Sequence, residues 1–171
     1  MRERKRNRLN GYDYSTTGIY FVTICVHNRG CVFGEIVNGE MILNEMGGIV
    51  ESEWKKSFVI RNELFCDEYV IMPNHFHGII LIVVGSQRAA TPQRTRLKPG
   101  SLPVIVGSFK LAVTKQMHET GYTDFAWQKS IDDRIIRNQA EFHCIQYYIE
   151  MNPINLCEIR LTWFSKIQSR W

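Results

Sequence analysis

The segment Ile71-Met-Pro-Asn-His-Phe-His-Gly-Ile-Ile-Leu-Ile-Val-Val84 places two histidines at the start of an apolar run. Side chains in a β-strand alternate between its two faces, so His75 and His77 should project from one face and Phe76 from the other. Two imidazoles side by side on a rigid strand can form half of a site for a divalent metal. The same pair can also lie at a sheet edge and only form hydrogen bonds or contact solvent.

The residues around this segment predict a sheet. Residues 65–72 and 75–84 have the composition of two strands joined by the tight turn Pro73-Asn74. Residues 18–26 are β-branched and aromatic, and both of their alternating faces are largely apolar, which predicts a central strand covered on both sides. A further hairpin is predicted at Asn38-Gly39, because both residues tolerate the positive φ angles of a two-residue turn.

Three helices are predicted between and after these strands. The first begins after Asn44, a good N-cap, and the second begins after Ser101 with Pro103 in its first turn. The third opens at Asn138 and Glu141, which have the spacing of a capping box. All three starts therefore carry the polar residues that satisfy the free N–H groups of a first helical turn.

The order of these elements predicts the fold class. The third helix should cover residues 139–152, because Asn152 precedes a proline and helical geometry is disfavoured there. Short β-like pieces are expected at residues 125–128 and 134–136. Strand, hairpin, helix, hairpin, helix, strand and helix then follow one another. This order predicts an α+β sandwich with a mainly antiparallel central sheet and the helices on one face.

Length and charge suit a single domain that can bind nucleic acid. The chain has 171 residues, a net charge of +4 and a pI near 8.8, which permits a nucleic-acid partner without requiring one. We treat residues 1–171 as one domain with a basic arm at 1–11, a basic loop at 85–100 and a C-terminal tail at 154–171. The arm and the loop can contact phosphates, or they can be a solvated tail and a linker.

The chain also predicts a compartment. The basic N-terminus has no apolar segment behind it, so it does not have the form of a signal peptide. The apolar run over residues 79–84 is too short to span a bilayer, so no membrane association is expected. Five cysteines, an odd number without a CxxC pair, favour buried thiols in a reducing environment. We therefore expect a cytoplasmic protein.

The last helix carries a second group of polar residues. Tyr148 and Asn152 are four positions apart and so share a helical face. An asparagine oxygen is a hard ligand that suits Mg²⁺ or Mn²⁺, and a tyrosine hydroxyl is a nucleophile that needs activation. Together with His75 and His77 they can form one site. Alternatively, Tyr147 and Tyr148 are core aromatics, and Asn152 is an ordinary helix end.

Two motifs in this chain resemble those of a known family. Met72-Pro-Asn-His-Phe-His-Gly-Ile-Ile80 is similar to the histidine–hydrophobic–histidine (HUH) segment of REP-associated tyrosine transposases, which act on single-stranded DNA. Tyr148-Ile-Glu-Met-Asn-Pro153 is similar to the tyrosine motif of the same family. Three further stretches resemble it in kind and order, so that the resemblance covers most of residues 12–153: residues 18–25, 107–110 and 127–137.

This resemblance implies a fold and a set of site residues. The fold is expected to be the ferredoxin-like sandwich of HUH nucleases, with both histidines on a central strand. His75, His77 and Asn152 match the metal ligands, and the metal is expected to be Mg²⁺ or Mn²⁺. Tyr148 matches the catalytic tyrosine. Tyr147 is its neighbour, but it is about 100° away around the helix and is not four positions before Asn152.

The resemblance further implies a metal-dependent DNA transposase that nicks and rejoins single-stranded DNA with REP-like hairpins. The reaction would be a transesterification through a 5′-phosphotyrosine intermediate, carried out by a monomer or a homodimer. The basic arm and loop would contact the DNA backbone, and aromatic residues such as Trp127 would stack on bases.

Two other functions are compatible with the sequence. The first is a non-catalytic binder of DNA hairpins with the same fold, which would keep the basic segments without turnover. The second is a structural zinc protein that uses His75, His77 and cysteines, although neither a CxxC pair nor a second histidine pair supports it.

Overall fold

The computed structural model of the protein describes residues 12–84 and 100–155. In this part of the chain six strands and three α-helices follow one another, with a short 3-10 turn at His27–Arg29 after the first strand. Their bounds are β1 Gly18–Cys25, β2 Gly34–Val37, β3 Glu40–Leu43, α1 Glu45–Val59, β4 Leu64–Met72, β5 His75–Ile82, α2 Leu102–Glu119, β6 Asp132–Ile136 and α3 Gln139–Asn155.

Four of the strands form the central sheet in the order β4-β5-β1-β6, and every neighbouring pair is antiparallel. Strands β2 and β3 form a separate hairpin. The central strands with α1 and α2 make a β-α-β-β-α-β series, the ferredoxin-like arrangement. The predicted α+β class and the mainly antiparallel sheet are therefore confirmed.

Helices cover both faces of this sheet. On one face, α1 and α2 pack through Trp54 and Phe109 against the even-numbered residues of β1 and β5, such as Tyr20 and Phe76. On the other face, α3 packs against Phe21 and other odd-numbered residues. The expectation that the helices lie on one face holds for α1 and α2 and was wrong for α3. The physical reason is that both faces of β1 are apolar, so each requires a cover.

Local turn chemistry agrees with the sequence except at Ser101, whose side chain makes no capping hydrogen bond at the start of α2. Asn38 and Gly39 have φ angles of 52° and 82° in the turn between β2 and β3, as a two-residue hairpin turn of this type requires. The Asn44 side chain accepts a hydrogen bond from the Gly47 N–H at 3.0 Å and caps α1. The Asn138 side chain accepts one from the Glu141 N–H at 2.8 Å at the start of α3.

Two elements differ clearly from the prediction, and the other strands differ from it by two residues or fewer at each end. Residues 125–128 do not form a strand, and only Trp127 makes a single bridge, to Val26. Helix α3 does not end at Asn152 but continues through Pro153 to Asn155. A proline removes only one helical hydrogen bond, and α3 ends two residues later, so the interruption falls in its last turn.

The packing at Gly78 gives a stability prediction. A Cβ atom built at Gly78 lies 2.8 Å from Trp54 and 2.9 Å from the Phe76 ring, and Trp54 is only 1% exposed. Because overpacking forces buried side chains to shift, we expect Gly78→Ala to lower the free energy of unfolding by about 1–3 kcal/mol. Thermal unfolding of the full chain measures the change.

Gly48→Ala is the matched control for this substitution. Gly48 lies inside α1, and a Cβ atom added there meets no atom within 4 Å. Alanine is the better helix former, so we expect this variant to gain up to about 1 kcal/mol of stability. Equal melting temperatures for the two variants would show that the contact of Gly78 with Trp54 is not restrictive.

Three predicted segments lie outside the described residues. They are the basic arm at 1–11, the basic loop at 85–100 apart from Gly100, and the tail at 154–171 apart from its first two positions. Within the described ranges, every helix is too short or too polar to cross a lipid bilayer.

Candidate functional site

The two histidines lie side by side on the face of the sheet that α3 covers. His77 is 3% exposed and His75 is half-buried, and their ring centroids are 4.6 Å apart. Phe76 points to the opposite face, where it is fully buried. The alternation predicted from the HxH spacing is therefore confirmed.

Helix α3 brings a tyrosine to these histidines. The Tyr148 hydroxyl lies 3.3 Å from Nε2 of His77, and the two ring centroids are 5.3 Å apart. Phe21 of β1 stacks on the His77 ring at 5.3 Å and meets the Tyr148 ring edge-on at 6.1 Å. Buried Ile145 and Ile149 hold this part of the helix against the sheet. The tyrosine and the histidine therefore belong to one packed group.

The neighbouring polar residues of α3 divide between the site and solvent. Asn152 is 9% exposed and its side chain forms a hydrogen bond with Tyr148, whereas Tyr147 is 59% exposed. The four predicted residues thus occur together, with Tyr148 between His77 and Asn152. All four come from one chain, so a second protomer is not needed to complete the group.

Two residues that the sequence analysis did not assign hold the imidazoles in place. Thr23 Oγ1 of β1 lies 2.8 Å from Nδ1 of His77, and Asn74 Oδ1 lies 2.6 Å from Nδ1 of His75. Thr23 is opposite His77 in the strand register, a relation that single-strand patterns do not give. Asn74 stands next to His75 in sequence, and a short polar side chain before a candidate ligand is a signal that could have been used.

Burial controls the protonation of the group. Desolvation, with the Arg29 cation adding to it, lowers the pKa of His75 to about 4. Desolvation and the neighbouring His75 hold the pKa of His77 well below its usual range. Burial raises the pKa of Tyr148, and its hydrogen bond with Asn152 acts in the opposite direction. At neutral pH the site therefore contains two neutral imidazoles and a protonated phenol.

This donor set fits a divalent metal ion. Neutral imidazoles have a free lone pair for a metal, and here each Nδ1 is held by a side-chain oxygen, as is usual for histidine ligands. Asn152 adds an amide oxygen, the type of donor that Mg²⁺ and Mn²⁺ accept. In residues 12–84 and 100–155 no group of three or more His, Cys, Asp or Glu side chains is placed to hold a metal ion. The histidine-and-cysteine site of the structural-zinc alternative is therefore not found in that part of the chain.

Trp127 does not have the exposure that base stacking requires. Its side chain is 8% exposed and packs in the core against Phe33, Phe125 and Phe109 of α2. The expectation that it stacks on DNA bases was wrong. Its single bridge to Val26 places it beside the end of β1, where the aromatic ring contributes to the core instead.

Known proteins share this architecture. The fold is similar to that of a REP-associated tyrosine transposase whose structure was solved bound to a REP hairpin. The TM-score is 0.58 with 19% sequence identity, and the match covers 91% of this chain and 74% of the other. The ferredoxin-like fold expected from the motif resemblance is thus also that of a solved REP-associated tyrosine transposase.

A sequence relative defines the family more closely. An uncharacterized protein of Haemophilus influenzae is 35% identical over 162 residues, which cover 90% of each chain. The chain belongs to the same family as this protein. No family model matches the sequence.

Proposed function

We propose that this protein is a metal-dependent DNA transposase that nicks and rejoins single-stranded, hairpin-containing DNA. The observation that carries the proposal is the contact between Tyr148 and His77, in which the phenol oxygen lies 3.3 Å from Nε2. A nucleophile next to a pair of neutral histidines is an arrangement in which a bound divalent metal could promote phosphoryl transfer to a tyrosine. The fold shared with a REP-associated tyrosine transposase supports this assignment.

Each of the four residues has a role in this proposal. His75, His77 and Asn152 would hold a Mg²⁺ or Mn²⁺ ion, and Tyr148 would be the nucleophile. The ion would supply positive charge that neutralises the charge developing on the phosphate. Phe21 fixes the relative position of Tyr148 and His77, because it contacts both rings, and Asn152 orients the phenol through their hydrogen bond.

The reaction is a transesterification. The Tyr148 oxygen forms a bond to the scissile phosphorus, and the bond from that phosphorus to the 3′-oxygen of the preceding nucleotide breaks. The phenol proton is lost and the departing oxygen gains one, which leaves a 5′-phosphotyrosine and a free 3′-hydroxyl. A 3′-hydroxyl from another DNA end reverses the step. The phosphodiester count is unchanged in each direction, so no nucleotide cofactor is needed.

The proposed substrate is DNA with short palindromes. The solved REP-associated tyrosine transposase was bound to a REP hairpin, and we extend this ligand class to the present chain. The basic segments at residues 1–11 and 85–100 would contact the backbone phosphates. Arg29 would add a cation close to His75, whose pKa it influences. Such contacts tolerate any sequence, so the hairpin shape would supply the selectivity.

A covalent adduct tests the proposal directly. The full chain is incubated with Mg²⁺ or Mn²⁺ and single-stranded oligonucleotides that carry short imperfect palindromes, including any found in the DNA beside its gene. On a denaturing gel we expect a protein–DNA adduct that keeps a 3′-label and releases a 5′-labelled strand with a free 3′-hydroxyl. Chelation of the metal should prevent its formation. Hairpin binding without any adduct would contradict catalysis and support the non-catalytic hairpin binder instead.

A further inference from the structure

We propose that Asn74 is a positioning residue that fixes the proton of His75 on Nδ1 and so keeps its Nε2 lone pair free. This assignment rests on the proposed function for its purpose, since Nε2 is then the nitrogen offered to a metal ion. Its basis is the hydrogen-bond geometry around one amide.

The Asn74 side-chain amide lies between the Arg29 carbonyl and the His75 ring, and only one of its two flipped orientations satisfies the Arg29 carbonyl. Its Nδ2 donates a hydrogen bond to the main-chain carbonyl of Arg29 at 3.3 Å, and its Oδ1 lies 2.6 Å from Nδ1 of His75. A carbonyl oxygen can only accept, so the NH₂ group must face Arg29 and the amide oxygen must face the histidine. The amide oxygen also only accepts, so Nδ1 of His75 must carry the proton. In a neutral imidazole Nε2 then holds the lone pair.

The Arg29 carbonyl is itself held by a strained turn. Asn28 and Arg29 both have positive φ angles, 56° and 54°, a conformation that non-glycine residues adopt at a cost. Main-chain hydrogen bonds from the Val26 N–H to the Asn74 carbonyl at 2.9 Å and from the Val32 N–H to the Pro73 carbonyl at 2.8 Å bind this turn to the β4–β5 connection. The two turns are therefore held together by main-chain hydrogen bonds. The strained residues include Arg29, whose carbonyl accepts the hydrogen bond from Asn74.

The hydrogen-bond partners of His77 do not fix its tautomer. Its Nδ1 contacts the Thr23 hydroxyl and its Nε2 contacts the Tyr148 hydroxyl. A hydroxyl can donate or accept, so both tautomers of His77 can be satisfied. The two ligand candidates thus differ: His77 can rearrange its hydrogen bonds as Tyr148 changes partner, whereas His75 is fixed by Asn74 before any ligand binds. Through this contact, Asn74 fixes the tautomer of His75 before a ligand binds, whereas the tautomer of His77 stays adjustable.

Nitrogen NMR of the metal-free full chain, with labelled histidine, tests the assignment. In the wild type we expect the His75 spectrum of an imidazole that is protonated at Nδ1 and unprotonated at Nε2. In Asn74→Leu we expect a mixture of tautomers and a Mn²⁺ affinity, measured by calorimetry, that is lower by about 10–100-fold. Asn74→Asp loses the hydrogen bond to the Arg29 carbonyl, but either carboxylate oxygen can accept from Nδ1, so this variant should keep the wild-type tautomer.

Asn44→Leu is the matched control. Asn44 also joins two main-chain groups, the Gly47 N–H and the Val32 carbonyl, but it caps α1. This variant should lose stability and leave the His75 spectrum unchanged.

A wild-type His75 that carries its proton on Nε2 would overturn the assignment, even if Asn74→Leu failed to fold. A tautomer shift in Asn74→Leu would support it even if the wild type bound no Mn²⁺, a result that would remove only the proposed metal function.

Discussion

We expect replacement of Tyr148 by phenylalanine to remove the proposed covalent DNA adduct and to leave the proposed hairpin binding nearly unchanged. The substitution deletes one oxygen, the only atom of this side chain that can bond to phosphorus, so strand cleavage should fall on the order of 10⁴-fold or more. The ring that packs edge-on against Phe21 stays. Loss of the hydroxyl contacts with His77 and Asn152 should cost only about 1 kcal/mol of folding stability. Gel-based adduct assays and a hairpin titration measure the two effects separately.

Tyr147→Phe is the internal control for this experiment. Tyr147 precedes Tyr148 in α3, has the same chemistry and is 59% exposed. If Tyr148 is the nucleophile, the Tyr147→Phe variant should form the adduct at the wild-type rate. An adduct that survives in Tyr148→Phe and disappears in Tyr147→Phe would reverse the assignment. Survival in both variants would indicate a different nucleophile.

Local sequence rules predicted the parts of this site that depend on neighbouring residues. The common face of His75 and His77 follows from the two-residue period of a strand, and that of Tyr148 and Asn152 follows from the helical turn. The hairpin at Asn38-Gly39 and the cap at Asn44 follow from the φ preferences and hydrogen bonding of asparagine and glycine. Such rules act over four residues or fewer, and these four expectations were confirmed, whereas the local expectation that α3 ends before Pro153 was wrong.

The remaining features depend on contacts between distant residues. Tyr148 and His77 are 71 positions apart, and only the packing of α3 on the second face of the sheet joins them. The contact of Thr23 with His77 depends on the register of β1 and β5, since a shift by one residue would turn Thr23 to the other face. The burial of Trp127 depends on its packing against Phe109 of α2. Because none of these relations is local, the periodicity of the chain did not reveal them.

Removal of His77 gives the second large effect. We expect His77→Ala to lower Mn²⁺ affinity by about 10²-fold or more, because one of three proposed ligands is lost, and to abolish the adduct. His77 is buried against Phe21 and Thr23, so its removal should also cost about 2–4 kcal/mol of folding stability. Calorimetric titration with Mn²⁺, together with thermal unfolding, separates the loss of the ligand from the loss of the fold.

A histidine outside the proposed site shows whether the loss of any imidazole has the same effect. His143 is exposed on α3, where its ring contacts Gln139 rather than the paired histidines. His143→Ala should therefore keep both the Mn²⁺ affinity and the adduct. His75→Ala extends the comparison, because His75 is less buried than His77, and its loss should reduce Mn²⁺ affinity with a smaller cost in stability.

If folded His77→Ala formed the adduct at the wild-type rate in the presence of a chelator, catalysis would not depend on a metal ion held by this pair. Tyr148 would then act through the protein's own hydrogen bonds alone.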